Sequence, residues 1–371
     1  MNRLLILLNS DSVCGSAINE IKDVSLSRLG SGAMGAADDR LDKKESHTVH
    51  IKKRVTYIDL LKGITIIGVV LVHSGGCPSW WTPNNVNLIF FFLAGIFFKQ
   101  EPLGKLARKK WQMLVVPFIV FYLISYPFRL GVEFWDYRDW GRLSWNMLGD
   151  IFEVSVRSDY LYVNVPLWFL LCLFMVTMIW WFISYLPKSW LAVYFISIMF
   201  FYDEIYNQFA TPFFINNAFY YTLFFGLGNI FGKKIIALCQ RIKLRLMILI
   251  SSVLTMWILK SLYQFGLSER LLSVVDSVYW LCYCVAALAL VSFLDGCKRL
   301  SWLEYLGVNS LIILCCHIIV LTPIIRISYA VFGFHSVYLA VVQTIICVAL
   351  MFPVIVVFNR YYPNLMGKRM R

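Results

Sequence analysis

Long apolar runs broken by short polar stretches fill the chain from residue 57 onward, and they recur at a length that suits a bilayer. A helix that crosses a membrane needs about 17 to 25 predominantly apolar residues. The pattern predicts ten such helices, at 57–76, 86–99, 111–130, 162–185, 190–203, 214–232, 246–265, 272–294, 305–323 and 338–358, of which the second and fifth are the shortest. No run shows the alternation of a membrane β-barrel. No extramembrane piece is both long and patterned enough for a separate soluble domain. The predicted fold class is therefore all-α, a polytopic integral membrane helical bundle.

Charge tests this order of spans, because Lys and Arg collect in alternate, cytoplasmic loops when spans are correctly counted. The segments 1–57, 99–111, 186–190, 233–245, 295–304 and 359–371 hold 26 of the 34 basic residues. Seven fall on the other side: Arg129, Arg138, Arg142, Arg157, Lys260, Arg270 and Arg326. Ten spans with both termini cytoplasmic satisfy this asymmetry. The net charge of +13 is then mostly topology; no nucleic-acid partner is implied, and the basic loops suit anionic membrane lipids. Composition agrees: 60% hydrophobic residues and a mean hydropathy of +0.70 exceed what one soluble domain hides.

Residues 1–53 differ from the rest, being polar, mixed in charge and rich in Ser, Gly and Asp after a short apolar patch, Leu4 to Leu8. They read as a disordered cytoplasmic tail, too weakly apolar for a secretory signal. The organisation is thus a tail at 1–53, a membrane domain at 54–358 and a short basic tail at 359–371. Ten cysteines fall mostly within spans, and neither Cys282-Tyr-Cys284 nor Cys315-Cys316 has the spacing of zinc ligands. They read as small packing residues, with no metal expected.

Chemistry gathers in the first span. Asp59, Lys62 and His73 are three ionisable groups along one apolar segment, and such groups in a membrane usually face a polar cavity. Lys62 and His73 are eleven residues apart, close to three whole turns, so they share a helix face about 16 Å apart. Asp59 joins that face one turn before Lys62.

Tyr57-Ile-Asp59-Leu-Leu-Lys62-Gly63, followed ten residues after Gly63 by His73, resembles the opening of the acyltransferase-3 family of membrane O-acyltransferases. That family begins with Arg or Lys, ten residues, then His. Ile89-Phe-Phe-Phe-Leu-Ala-Gly95 is similar to its Phe-Phe-x-x-Ser-Gly signature, and Val165-Pro-Leu-Trp168-Phe-Leu to its Leu-Trp-Phe segment. Tyr305-Leu-Gly307-Val-Asn-Ser310, running on to His317, resembles a late span that ends in His. Ala94 stands where the family often has Ser, Leu314 where it often has Tyr, and Lys62 lacks the planar fork of the commoner Arg.

The resemblance implies transfer of an acyl group, usually acetyl, from a cytoplasmic thioester such as acetyl-CoA to a sugar hydroxyl. The acceptor would be a surface polysaccharide, its lipid-linked precursor or an exported oligosaccharide, and the setting a bacterial inner membrane. No permanently bound cofactor is expected; acetyl-CoA or another acyl-CoA is the donor. The catalytic assignment is His73 with Asp59. His73 takes the hydroxyl proton, for which neutral imidazole suits physiological pH, or carries the acyl group itself. Asp59 orients Lys62 or serves as an N-terminal helix acid. Lys62, Arg108 and Lys109 are the donor-binding candidates; Lys62 could equally snorkel to the interface, and the cluster Lys105 to Lys110 could be topology alone. Trp168, Ser310 and His317 are further cavity candidates, against interfacial anchoring for Trp168 and a satisfied helix contact for His317. The aromatic outer segment 131–161 suits either sugar stacking or a helix at the interface, and 203–217 is the other polar patch on that side. A transporter or flippase, or a non-catalytic partner in polysaccharide export, remains the rival class, although no repeat links the two halves.

Overall fold

The computed structural model describes residues 55–75, 86–137, 161, 163–202, 212–334, 336–363 and 365. The tail at 1–53, most of the outer segment 131–161 and most of 203–217 lie outside the described residues. Among the described residues there is no β-strand, and eight helices are long and apolar enough to cross a membrane. The two runs expected to be shortest are shorter helices, Asn87–Ile96 and Lys188–Phe201.

In chain order the helices are α1 (Thr56–His73), α2 (Asn87–Ile96), α3 (Leu103–Lys110), α4 (Val116–Tyr137), α5 (Trp168–Ile183) and α6 (Lys188–Phe201). They continue as α7 (Ile215–Cys239), α8 (Ile242–Leu262), α9 (Glu269–Ser292), α10 (Ser301–Val308), α11 (Ser310–Phe332) and α12 (Val337–Tyr361). Three of the predicted spans depart from the apolar pattern; the sixth, 214–232, continues as α7 through Lys233 and Lys234 to Cys239. The third predicted span starts earlier and ends later: basic α3 runs through a π-helical turn, Trp111–Val115, into α4. Its lysines and arginine had marked it as a loop, yet straight-chain cations are good helix formers. Arg129, assigned to an outer loop, accordingly lies within α4. The ninth predicted span divides at Asn309 into α10 and α11, and α11 continues to Phe332 through Pro323.

Helix α1 is the interior element. It packs against α2, α9, α10, α11 and α12, and 61% of its span is buried, against 6% for the span beginning at Ile242. Helices here cannot rely on water to drive them together, so small residues that let backbones approach decide which pairs meet. Gly63 of α1 and Gly307 of α10 are such a pair: a Cβ on Gly63 would lie 2.0 Å from the Leu303 carbonyl oxygen, and one on Gly307 1.8 Å from that of Asp59. Gly95 of α2 and Gly228 of α7 form the second seam, with a Cβ meeting the Phe225 and Phe92 carbonyl oxygens at 1.9 and 2.2 Å. The aromatic and aliphatic core includes Phe91, Phe92, Phe224, Phe225 and Trp180. The described cysteines are all free thiols, most of them buried.

Candidate active site

The glycine seam fixes the register of the site. Gly63 is ten residues before His73 on α1, and Gly307 is ten residues before His317 on the α10–α11 segment. Close contact of the two glycines, with α11 running beside α1 in the same direction, brings the two histidines to one level of the bundle. Their ring centroids are 5.3 Å apart and the planes are inclined at 45°. The turn between α10 and α11 is secured by Asn309, whose Nδ2 donates to the Tyr305 carbonyl (2.7 Å) while its Oδ1 accepts from Asn359 of α12 (2.9 Å).

His73 is the last residue of α1, half-buried, with the chain turning away through Ser74 and Gly75. Gly75 has φ +81, the left-handed conformation that ends helices. His317 is fully buried in the second turn of α11. Its Nδ1 lies 2.8 Å from the Ile313 carbonyl oxygen. A carbonyl only accepts, so Nδ1 carries the proton, and in the neutral ring Nε2 keeps its lone pair. Nε2 has no protein partner. Two imidazoles therefore meet inside an apolar bundle, one with an open acceptor nitrogen.

The other end of α1 carries the charge. Lys62 Nζ donates to Asp59 Oδ1 at 3.4 Å and stands 6.0 Å from the centroid of the Phe97 ring. Asp59 is buried and Lys62 half-buried, so the pair is at the margin of the core rather than free in solvent. Arg108 and Lys109 are exposed on α3, which begins six residues after Phe97. Lys109 bonds Glu101 Oε1 at 3.3 Å, and Glu101 is itself tied down where its carbonyl accepts from Trp181 Nε1 (2.8 Å). These two cations are not brought to the imidazole pair.

Trp168 is buried in an aromatic cluster, with ring centroids 5.5 Å from Tyr221, 5.9 Å from Phe214 and 6.4 Å from Phe91. It joins the second-span and fourth-span motifs rather than anchoring at an interface. Ser310 opens α11 half-buried, seven residues before His317 and hence about 10 Å below it on the same side.

Sequence reasoning missed the polar groups that surround this level. Asn164, fully buried just before the Val165–Leu167 turn, donates through Nδ2 to Ser125 Oγ of α4 (2.8 Å) and to the Cys315 carbonyl of α11 (3.0 Å). It ties the start of the Trp168 segment to the turn that carries His317. Arg129 and buried Glu133 pair at 2.5 Å along α4. On α12, Gln343 is buried, and Cys347 Sγ approaches the His317 carbonyl at 3.8 Å. A cleft of about 630 Å3 between α4 and α11, lined by Pro127, Trp135, Thr322, Pro323 and Arg326, lies beyond His317 along α11. A usable signal existed: Gln343 and Thr344 are the only polar side chains between Leu339 and Val357 apart from Cys347, and polar groups at such places need a reason. Among the described residues no group of three metal-ligating side chains occurs.

Compared with known proteins, residues 55–360 match a family model described as an acyltransferase domain, acyltransferase-3. No curated protein and no solved structure matches the chain.

Proposed function

The chain belongs to the acyltransferase-3 family, a membrane acyltransferase family, and from that premise we propose that it transfers an acetyl group from acetyl-CoA to a sugar hydroxyl. The acceptor is a surface polysaccharide, its lipid-linked precursor or an exported oligosaccharide, and other acyl-CoA donors fit the same scheme. The protein resides in a bacterial inner membrane with both termini cytoplasmic. The observation that carries this reading is the meeting of His73 and His317 on an interior helix whose other end bears Lys62.

The chemistry follows from the groups present. The acceptor oxygen attacks the thioester carbonyl while His73 takes the hydroxyl proton. The tetrahedral oxyanion collapses, the carbon–sulfur bond breaks, and the proton on His73 passes to the departing CoA sulfur. Products are the sugar ester and free CoA thiol. A covalent route through acyl-imidazole at His73 balances equally, with CoA released before the hydroxyl enters. His317, neutral with an open Nε2, supplies a second acceptor for a hydroxyl proton beside His73. Lys62 attracts the anionic donor and Asp59 holds its ammonium; Arg108 and Lys109 gather CoA phosphates at the edge of the bundle. Trp168 and Ser310 complete the walls of the path between donor and acceptor.

Mass spectrometry of surface glycans from cells making the wild-type protein, the His73→Ala variant or neither tests this reading at matched membrane expression. An added acetyl mass that depends on wild type and vanishes with His73→Ala is the expected result. Identical glycans in all three cells would exclude it.

A further inference from the structure

Gln343 of α12 is 1% exposed, and both atoms of its amide, Oε1 and Nε2, lack a hydrogen-bond partner. A buried primary amide with nothing to bond is costly, because it has left water without replacement. Native proteins keep few such groups, and each one has a reason.

Helix register places this amide with respect to the histidines. α12 runs antiparallel to α11, since Asn359 meets Asn309 and Cys347 meets His317. Gln343 is one turn before Cys347, on the same face. It therefore lies one turn beyond His317 in the direction of α11, toward the end of the bundle at which α1 finishes in His73. α12 also packs directly on α1. The level of His317 itself, one turn away, holds two more buried polar atoms without partners, its own Nε2 and Asn164 Oδ1. Asn164 is anchored by its Nδ2 on the Cys315 carbonyl, two residues before His317.

We propose that Gln343 is an acceptor-binding residue, its amide donating to and accepting from neighbouring hydroxyls of a polyol substrate presented to the His73–His317 pair. Resting on the acyl-transfer reading above, this adds to it the group that holds the acceptor. An amide matches such a substrate because each sugar hydroxyl is both donor and acceptor, as is the amide. A thioester acyl group offers a carbonyl acceptor alone and leaves the amide oxygen unmet. The unpaired amide thus favours acceptor over donor, and its depth in the bundle selects one hydroxyl for the imidazoles rather than a loose surface contact.

The test uses full-length protein with Gln343→Leu and Gln343→Met, both close in volume and apolar. Three quantities are read: thermal unfolding in detergent, acetyl-CoA affinity, and glycan acylation in cells by mass spectrometry. Removing an unpaired buried amide leaves stability equal or higher. The expected result is Tm at or above wild type, acetyl-CoA affinity within about twofold, and acylation lower by about tenfold or more in both variants, the loss that about one hydrogen bond to the acceptor corresponds to. Acylation within about twofold of wild type in either folded variant overturns the proposal while leaving the acyl-transfer reading intact. A lowered Tm in both overturns it too, by making the amide a structural group. Wild-type protein that acylates no glycan removes the reading on which the proposal stands, and the proposal with it.

Discussion

The imidazole rings of His73 and His317, separated by 244 positions in the chain, lie 5.3 Å apart in the interior of the bundle. Their meeting is a consequence of backbone contact ten residues away. Gly63 and Gly307 let α1 and α10 touch, and equal spacing from glycine to histidine on both segments does the rest. One ring is tethered through Nδ1 to its own helix, which fixes its tautomer; the other is the last residue of its helix, where the chain turns through Ser74 and Gly75. Such an asymmetry suits one imidazole to move a proton and the other to hold a hydroxyl.

If the rings act as a unit, their losses will not add. His73→Ala is expected to lower the rate of acyl transfer by about 100-fold to 10,000-fold, the range for a lost general base. His317→Ala is expected to cost less, and the double variant no more than His73→Ala alone. Initial rates of acetyl transfer at equal protein amount measure this. Multiplicative losses in the double variant would show two independent roles.

The apolar helices and their order were legible because apolar run length follows directly from bilayer thickness. The His73–Lys62 face was legible for the same local reason, a helix period. What stayed hidden was non-local. That Asn164 bonds Cys315, or that Gln343 sits one turn beyond His317, depends on which helices pack, and periodicity carries no information about partners. The basic helix α3 was missed for a different reason: a cluster of cations reads as a loop when only apolarity is scored. Equal Gly-to-His spacing in two segments was on view in the sequence, and only the structure gives it meaning.

The same seam predicts a stability effect. Gly307→Ala places a methyl 1.8 Å from a backbone oxygen that cannot swing aside, so the helices must separate. Overpacking of this kind costs about 1 to 3 kcal/mol, sometimes more. Gly104→Ala is the control: nothing lies within 4 Å of the added methyl, and the change should gain about 0.4 to 1 kcal/mol through the unfolded chain. Thermal unfolding of both variants, with activity measured below Tm, separates damage to the seam from a general dislike of alanine.

On the proposed reading Lys62 attracts the anionic donor while Asp59 holds its ammonium. With Lys62→Met the attraction for an anionic donor is removed, and the expected outcome is a raised KM for acetyl-CoA with a smaller change in kcat. Lys62→Arg keeps the charge and should stay close to wild type. Raising ionic strength should weaken donor binding in wild type more than in Lys62→Met, because screening acts only on charge. Equal salt dependence in the two proteins would place the donor contact elsewhere.

Asn164 provides the last and most specific expectation, because its single NH2 group bridges α4 and α11 at the level of the histidines. Truncation to Ala leaves the Cys315 carbonyl and Ser125 hydroxyl each without that donor in a buried setting, at a cost of about 1 to 3 kcal/mol. Ser125→Ala removes one acceptor and leaves Nδ2 still bonded to Cys315, so it should cost less. Asn164→Asp keeps the shape but replaces the donor by a carboxylate facing a carbonyl oxygen, and should be the worst of the three. Thermal unfolding orders these variants. Acyl-transfer rates measured well below Tm then separate stability from position: a rate that falls in Asn164→Ala even where the protein is fully folded means that the bridge also sets the place of His317 relative to His73.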